Sequence, residues 1–176
     1  MISIVCGTNR KDAISKKLSR IYQNLLQAEG VEAQIIDLSD LPPDFIFSAL
    51  YEKAGQNEEF NAIRQQMIES EKFIFVVPEY NGSFPGVLKV FIDGLKFPDT
   101  FTGKKCALVG LSSGVQGAGL ALSHLTDIFH YCGMNVLALK PRLASISQNM
   151  DVETEDITNP LYQELVENQV RDLIKF

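Results

Sequence analysis

Phe73-Ile74-Phe75-Val76-Val77-Pro78-Glu79-Tyr80-Asn81-Gly82-Ser83-Phe84-Pro85-Gly86-Val87-Leu88 is the stretch that decides the fold. The five apolar residues Phe73 to Val77, aromatic or β-branched, predict a strand buried on both faces. A polar turn from Pro78 to Ser83 ends it. A helix follows with Phe84, Val87, Leu88, Phe91, Ile92 and Leu95 on one face, and Pro85 stands in its first turn, where a missing amide hydrogen is tolerated. A buried strand leading directly into an amphipathic helix is the unit of a parallel sheet, because each crossover helix must bury its apolar stripe against the sheet.

The same unit repeats on either side. Upstream, Ile2 to Cys6 is an apolar run ending at Gly7, followed by Ile14, Leu18, Ile21, Tyr22, Leu25 and Leu26 at helical spacing until Gly30. Val31 to Leu38 alternates as a second strand, and Phe60, Ile63 and Met67 mark a second helix. Downstream, Cys106 to Leu111 predicts a fourth strand. A Ser/Gly loop and a helix with Ala118, Ala121, Leu122, Leu125, Ile128, Phe129 and Cys132 on one face come next, with Gly133 as its cap. A fifth strand around Val136 to Leu139, an irregular polar stretch from 141 to 159 and a last helix from Pro160 to Ile174 (Leu161, Leu165, Val166, Val170, Leu173) complete five β-α units. These predict a three-layer α/β fold, a five-stranded parallel sheet of order 2-1-3-4-5 with helices on both faces. In that order a ligand sits outside the carboxyl ends of the strands, at the switch point between strands one and three.

At 176 residues the chain suits one domain, 1–176, built on one sheet. No window approaches the roughly 18 apolar residues of a membrane span, and no secretory signal is visible at the start, so the cytoplasm is the expected location. A net charge of −6 and a pI near 4.9 oppose binding to nucleic acid phosphates. Cys6, Cys106 and Cys132 are far apart and read as small core hydrophobes; no metal-ligand set stands out.

Three loops at the expected ligand edge carry the chemistry. The first, Gly7-Thr8-Asn9-Arg10-Lys11-Asp12-Ala13-Ile14-Ser15, opens a helix, where amide hydrogens, the Thr8 and Ser15 hydroxyls and the Arg10 guanidinium can cradle a phosphate. A turn with a serine cap explains it equally well. The Walker A spacing is absent. The second loop places Pro78, Glu79, Tyr80 and Asn81 where they can meet a flat heterocycle; the alternative is a plain turn with Ser83 as helix cap. A phosphorelay receiver would need an acceptor Asp at this strand end, where Glu79 follows Pro78. The third loop, Ser112-Ser113-Gly114-Val115-Gln116-Gly117-Ala118-Gly119, lets backbone approach a ring closely, or is a flexible turn; it lacks the dinucleotide-binding glycine spacing.

Pro78-Glu79-Tyr80-Asn81 followed by Pro85-Gly86-Val87-Leu88-Lys89 and Ile92-Asp93 resembles the NADPH-dependent FMN reductase family, from about Ile2 to Cys132. The resemblance implies a flavodoxin-like fold and an NAD(P)H-dependent flavin oxidoreductase. Thr8, Arg10 and Ser15 would hold the FMN phosphate. Pro78, Glu79, Tyr80 and Asn81 would contact the ribityl chain and isoalloxazine, and Ser112, Ser113, Gly114 and Gly117 would border the ring. Two positions depart from the family pattern. Ala13 stands where a phosphate-binding serine is usual, a loss worth ~1 to 2 kcal/mol, or roughly tenfold in affinity. Val90 replaces a usual asparagine, a change in helix packing or subunit contact.

Flavin carries the chemistry in such enzymes, so no residue is assigned as general acid or base. His124 and His130 are expected to be packed or interface residues. NADPH and NADH both stand as co-substrates, and free flavin, quinone, azo dye and metal oxyanion all stand as small-molecule acceptors. The long segment Leu41 to Asn57, with Phe45, Phe47, Leu50 and Tyr51, is expected to cover the flavin or pack against a second subunit of a homodimer or homotetramer. A flavodoxin-type electron carrier and a binding module without flavin are the alternatives; the absence of Trp and the presence of Arg10 speak against the carrier.

Overall fold

The structure, a computed structural model, describes residues 1–176. In chain order the elements are β1 (Ile2–Cys6), α1 (Ile14–Ala28), β2 (Ala33–Asp37), α2 (Phe45–Ser48), α3 (Glu58–Glu69), β3 (Lys72–Pro78), α4 (Gly86–Gly94), β4 (Lys105–Leu111) and α5 (Gly119–Tyr131). Then follow β5 (Asn135–Val136), β6 (Arg142–Leu143), α6 (Ile146–Asn149), β7 (Met150–Asp151), β8 (Asp156–Ile157) and α7 (Pro160–Lys175). The main sheet runs β2-β1-β3-β4-β5, every pair parallel, so the expected strand order holds.

Alternation along the central strands builds the three layers. Phe73, Phe75, Val77, Cys106 and Leu108 point to one side, into a core shared with α3, α4 and α5. Ile74, Val76, Ala107, Val109 and Leu111 point to the other, toward α1 and α7. Phe75 packs on Phe129 of α5 with ring centroids 4.5 Å apart, tying β3 to the helix that follows β4. Both Cys6 and Cys106 are buried, and burial pushes the Cys106 thiol above its ordinary range, so these thiols serve as packing groups.

The fifth strand is not continuous. The offset between partners grows from 30 residues at Lys105–Asn135 to 32 at Gly110–Arg142, so two extra residues bulge out between β5 and β6. Pro141 has no amide hydrogen to extend the ladder. A side chain fills the gap: Gln169 of α7, fully buried, donates from Nε2 to the Leu108 carbonyl at 2.9 Å and the Leu139 carbonyl at 2.8 Å. Its Oε1 accepts from the Tyr22 hydroxyl at 2.6 Å, so all three elements share one satisfied polar node.

Other details differ from expectation. The segment Leu41 to Asn57 contains α2 and sends Leu41, Phe45, Ala49 and Leu50 into the core, with Phe45 stacked on Phe60 at 5.5 Å. Phe47 and Tyr51 remain 82% and 79% exposed. Residues 141–159 are not structureless: they hold β6, α6 and the antiparallel pair β7–β8. Leu161 is exposed, because α7 turns Val166, Gln169, Val170 and Leu173 inward instead. Pro85, rather than Ser83, is the cap residue of α4. His124 and His130 are both exposed, because Leu122, Leu125 and Phe129 take the core face of α5.

Candidate functional site

The carboxyl ends of β1, β3, β4 and β6 meet around one groove of about 200 Å³. Its walls are Thr8, Arg10, Asp12, Ala13, Ile14 and Ser15 after β1, then Pro78, Glu79 and Tyr80 after β3. Leu111, Ser112 and Ser113 continue it after β4, and Ile146 and Ser147 close it beyond β6. A larger cleft of about 640 Å³ lies between α1, β8 and α7, but Glu153, Glu155, Asp156 and Glu167 line it, which excludes an anionic ligand there.

The loop after β1 leaves its donors free. Gly7 donates to the Val76 carbonyl at 2.9 Å, and a Cβ there would meet that same oxygen at 2.9 Å, so only glycine lets the chain turn away this close to β3. Ala13 caps α1 with no side-chain hydrogen bond. Ser15 is therefore the second helical residue and not the cap, and the amides of Ala13, Ile14 and Ser15 donate to no group in the chain. Helix N-termini in this state carry partial positive charge and point N–H groups at an anion. The Ser15 hydroxyl is buried and accepts from the Cys6 thiol at 3.5 Å, which leaves its own hydrogen unpartnered beside the groove. Burial raises the Cys6 pKa and keeps the thiol protonated as that donor. Arg10 is exposed and pairs with no carboxylate, while Asp12 places an opposing charge on the same wall.

The loop after β3 is a tight hairpin turn. Tyr80 and Ser83 exchange two backbone bonds of 2.8 and 3.0 Å around Asn81 (φ 50°) and Gly82 (φ 74°). Positive φ at both central residues is the mirror-image turn for which Asn-Gly is the preferred pair. Asn81 therefore stands at an exposed turn tip and does not line the groove. Tyr80 does, its hydroxyl 2.9 Å from the Thr8 Oγ1. Thr8 is fully buried and also accepts from the Arg10 amide at 3.2 Å, so it ties the first two loops together. Ser83 Oγ lies 2.9 Å from His124 Nδ1 on α5.

The loop after β4 is braced at its two ends, while the amides of Ser113, Gly114, Val115 and Gln116 between them have no partner in the chain. Ser112 donates to the Gly114 carbonyl at 2.8 Å and accepts from the Gly117 amide at 2.8 Å. The Ala118 amide donates to Glu79 Oε2 at 2.9 Å, which pins this loop to the one after β3. Gly117 has φ 56° and a Cβ there would fall 2.8 Å from Arg142, so its glycine serves backbone geometry. Gly114 and Gly117 do not line the groove; Ser112 and Ser113 do. The fourth wall, Ile146 and Ser147, was not among the residues expected from sequence. The loop after a fifth parallel strand belongs at the same sheet edge as the other three; that signal was available.

The chain matches the model of the NADPH-dependent FMN reductase family over residues 1–145 and belongs to that family. Over 164 residues it is 30% identical to a 2-hydroxy-1,4-benzoquinone reductase of a Burkholderia species, covering 88% of this chain and 86% of that one. Over 126 residues it is 30% identical to a quinone reductase of Pseudomonas putida, covering 70% of this chain and 65% of that one. In structure it is similar to FerB, a flavoenzyme NAD(P)H:(acceptor) oxidoreductase of Paracoccus denitrificans. There the TM-score is 0.80 at 23% identity, with 99% of this chain and 94% of that one covered. The flavodoxin-like fold is thereby established, and the family is one of FMN-dependent oxidoreductases. No helix of the structure is long and apolar enough to cross a membrane.

Proposed function

We propose that this chain, as one flavin-binding unit over its whole length, binds FMN in the groove at the strand ends and reduces a quinone-class acceptor at the expense of NAD(P)H. One observation carries the assignment: the unpartnered amides of Ala13, Ile14 and Ser15, with the Ser15 hydroxyl and the free Arg10 guanidinium, converge on one groove. That donor set suits a phosphate. Thr8 acts through Tyr80, setting the distance between the first two loops. Glu79 accepts from Ala118 and fixes the loop after β4, and Ser112 braces that loop from within. Asn81, Gly114 and Gly117 contribute turn geometry; Ser113 and Tyr80 face the ring.

Sites that enclose a whole drug-sized ligand span roughly 300 to 1,000 Å³. A groove of about 200 Å³ would take the phosphate and polyol end. Tyr80, which is 38% exposed, and Ser113 would then be the residues that contact the ring at the rim. Bound FMN would supply the redox step, taking hydride from the nicotinamide and passing electrons on. The residues bind, orient and exclude water; none is needed as a proton donor.

Quinone is favoured among acceptors because the relatives above are named for quinone reduction. Three unpaired thiols accord with a reducing compartment, the cytoplasm. The exposed Phe47 and Tyr51 support a homo-oligomer, with a second copy covering them; sedimentation as a monomer at micromolar concentration would count against it.

The test is a fluorescence titration with FMN, then anaerobic addition of NADPH or NADH with absorbance followed at the flavin band. Bleaching on the turnover timescale, reversed by a benzoquinone, is expected. Binding without bleaching would make the chain an electron carrier, and no binding would end the flavin assignment.

A further inference from the structure

We propose that Ser147, from the segment after β6, supplies to the FMN phosphomonoester the hydroxyl that the loop after β1 lacks at Ala13. The proposal rests on the FMN assignment above and goes beyond it, because no resemblance points to this residue and the family match ends at residue 145.

Three features of the structure carry it. Ala13 is buried in the groove wall, so the phosphate loop offers a methyl group there. Ser147 lines the same groove of about 200 Å³, and its hydroxyl makes no hydrogen bond within the chain. An exposed serine with no partner is ordinary by itself; its mounting is not. The Ile146 amide donates to the Ser112 carbonyl at 3.0 Å and the Ser145 amide to the Gly114 carbonyl at 2.8 Å. Asn149 Nδ2 donates to the Ala144 and Ser145 carbonyls at 3.3 and 3.1 Å. Asn159 in turn donates to Asn149 Oδ1 at 2.8 Å, and the Tyr162 hydroxyl to the Ala144 carbonyl at 3.2 Å. Ile146 is buried in the core beside Leu143 and Leu18.

The short turn is thus fixed on both sides of Ser147 before any ligand arrives, and a preorganised donor loses little freedom on binding. Ser145 is held at φ 47°, a left-handed conformation uncommon for serine, and this turn is what aims the next two residues at the groove. The net effect is a hydroxyl moved from the first loop to the fourth, on another wall of the same groove. It joins the Ser15 hydroxyl and the Arg10 guanidinium as a donor to the phosphate.

Three proteins are compared: the full chain, Ser147→Ala, and Ser147→Ala combined with Ala13→Ser. Dissociation constants for FMN and for riboflavin, which lacks the phosphate, are measured by flavin fluorescence, with far-ultraviolet circular dichroism confirming the fold. Ser147→Ala is expected to weaken FMN about tenfold and leave riboflavin unchanged, and adding Ala13→Ser is expected to restore most of the loss. Unchanged FMN affinity in Ser147→Ala would overturn the proposal while leaving the FMN assignment intact. So would equal weakening of FMN and riboflavin, since the effect would then not act through the phosphate. Failure of the unaltered chain to bind FMN would remove both.

Discussion

The loops after β1 and after β4 each lead from a buried strand into a helix at the same sheet edge, yet they leave their backbone donors open at different places. After β1 the amides of Ala13, Ile14 and Ser15 have no partner in the chain. After β4, Gly117 donates to Ser112, Ala118 to Glu79 and Gly119 to the Gln116 carbonyl, while the amides of Ser113, Gly114, Val115 and Gln116 have no partner. Buried backbone donors are nearly always satisfied. The open donors thus fall at the start of a helix in the first loop and at the Ser113 to Gln116 turn in the second, and only the first set has the dipole of a helix N-terminus and a guanidinium beside it. Glycine content does not mark the phosphate loop, since the loop after β4 is the richer in glycine.

The contrast can be broken from the side of the loop after β4 first. Gln169→Leu would strip partners from the Leu108 and Leu139 carbonyls and the Tyr22 hydroxyl, behind the loop after β4. It should cost about 3 kcal/mol in urea denaturation. Because Gln169 lies behind the sheet and not in the groove, FMN affinity of the folded fraction should stay near that of the parent.

From the ligand side, Arg10→Ala should weaken FMN by about 2 kcal/mol, roughly thirtyfold, in a fluorescence titration. Denaturation midpoints should not move, because the Arg10 side chain contacts no carboxylate. An equal loss for riboflavin would show that the first loop does not read phosphate.

Glu79→Ala leaves the buried Ala118 amide unpaired and should lower stability by about 1 to 2 kcal/mol, while Glu79→Gln keeps an acceptor and should largely preserve it. A strong loss of FMN affinity in the Gln variant, with stability intact, would shift Glu79 from brace to flavin contact.

The smallest effect concerns pH. Burial pushes the Asp37 carboxyl up, but the Lys16 ammonium 2.7 Å away and the Ser39 amide outweigh it and leave the group below its ordinary value of 3.8. A lowered folded pKa means stability present above that ordinary value and lost as pH falls through the folded one. Asp37→Asn should therefore flatten the acid limb of a stability profile below about pH 4, without altering the loop whose helix Lys16 belongs to. Lys16 is half-exposed, so the change should be under about 1 kcal/mol.

Much of this was legible beforehand. Strands of unbroken apolar residues such as Phe73 to Val77 admit one interpretation, and helices like α1 and α5 show their period plainly. The fifth strand misled because Val136 to Leu139 has strand composition. The two-residue bulge depends on a glutamine thirty residues later, and no local pattern encodes that. Asn81-Gly82 was visible as a turn, but its mirror-image geometry, which turns Asn81 away from the groove, needed both φ values. Thr8, Arg10, Ser15, Pro78, Glu79, Tyr80, Ser112 and Ser113 do meet at one groove. The fourth wall escaped notice because Ala144 to Ser147 has neither helical nor strand period; only its place after the fifth strand marks it.

The most direct test is a crystal structure of the chain with FMN bound. The phosphate should lie at the start of α1, its oxygens within hydrogen-bond distance of the Ile14 and Ser15 amides and the Arg10 guanidinium, with the ring at the rim beside Tyr80. A phosphate seated at the loop after β4, or a flavin bound outside the groove, would contradict the assignment of the phosphate to the start of α1.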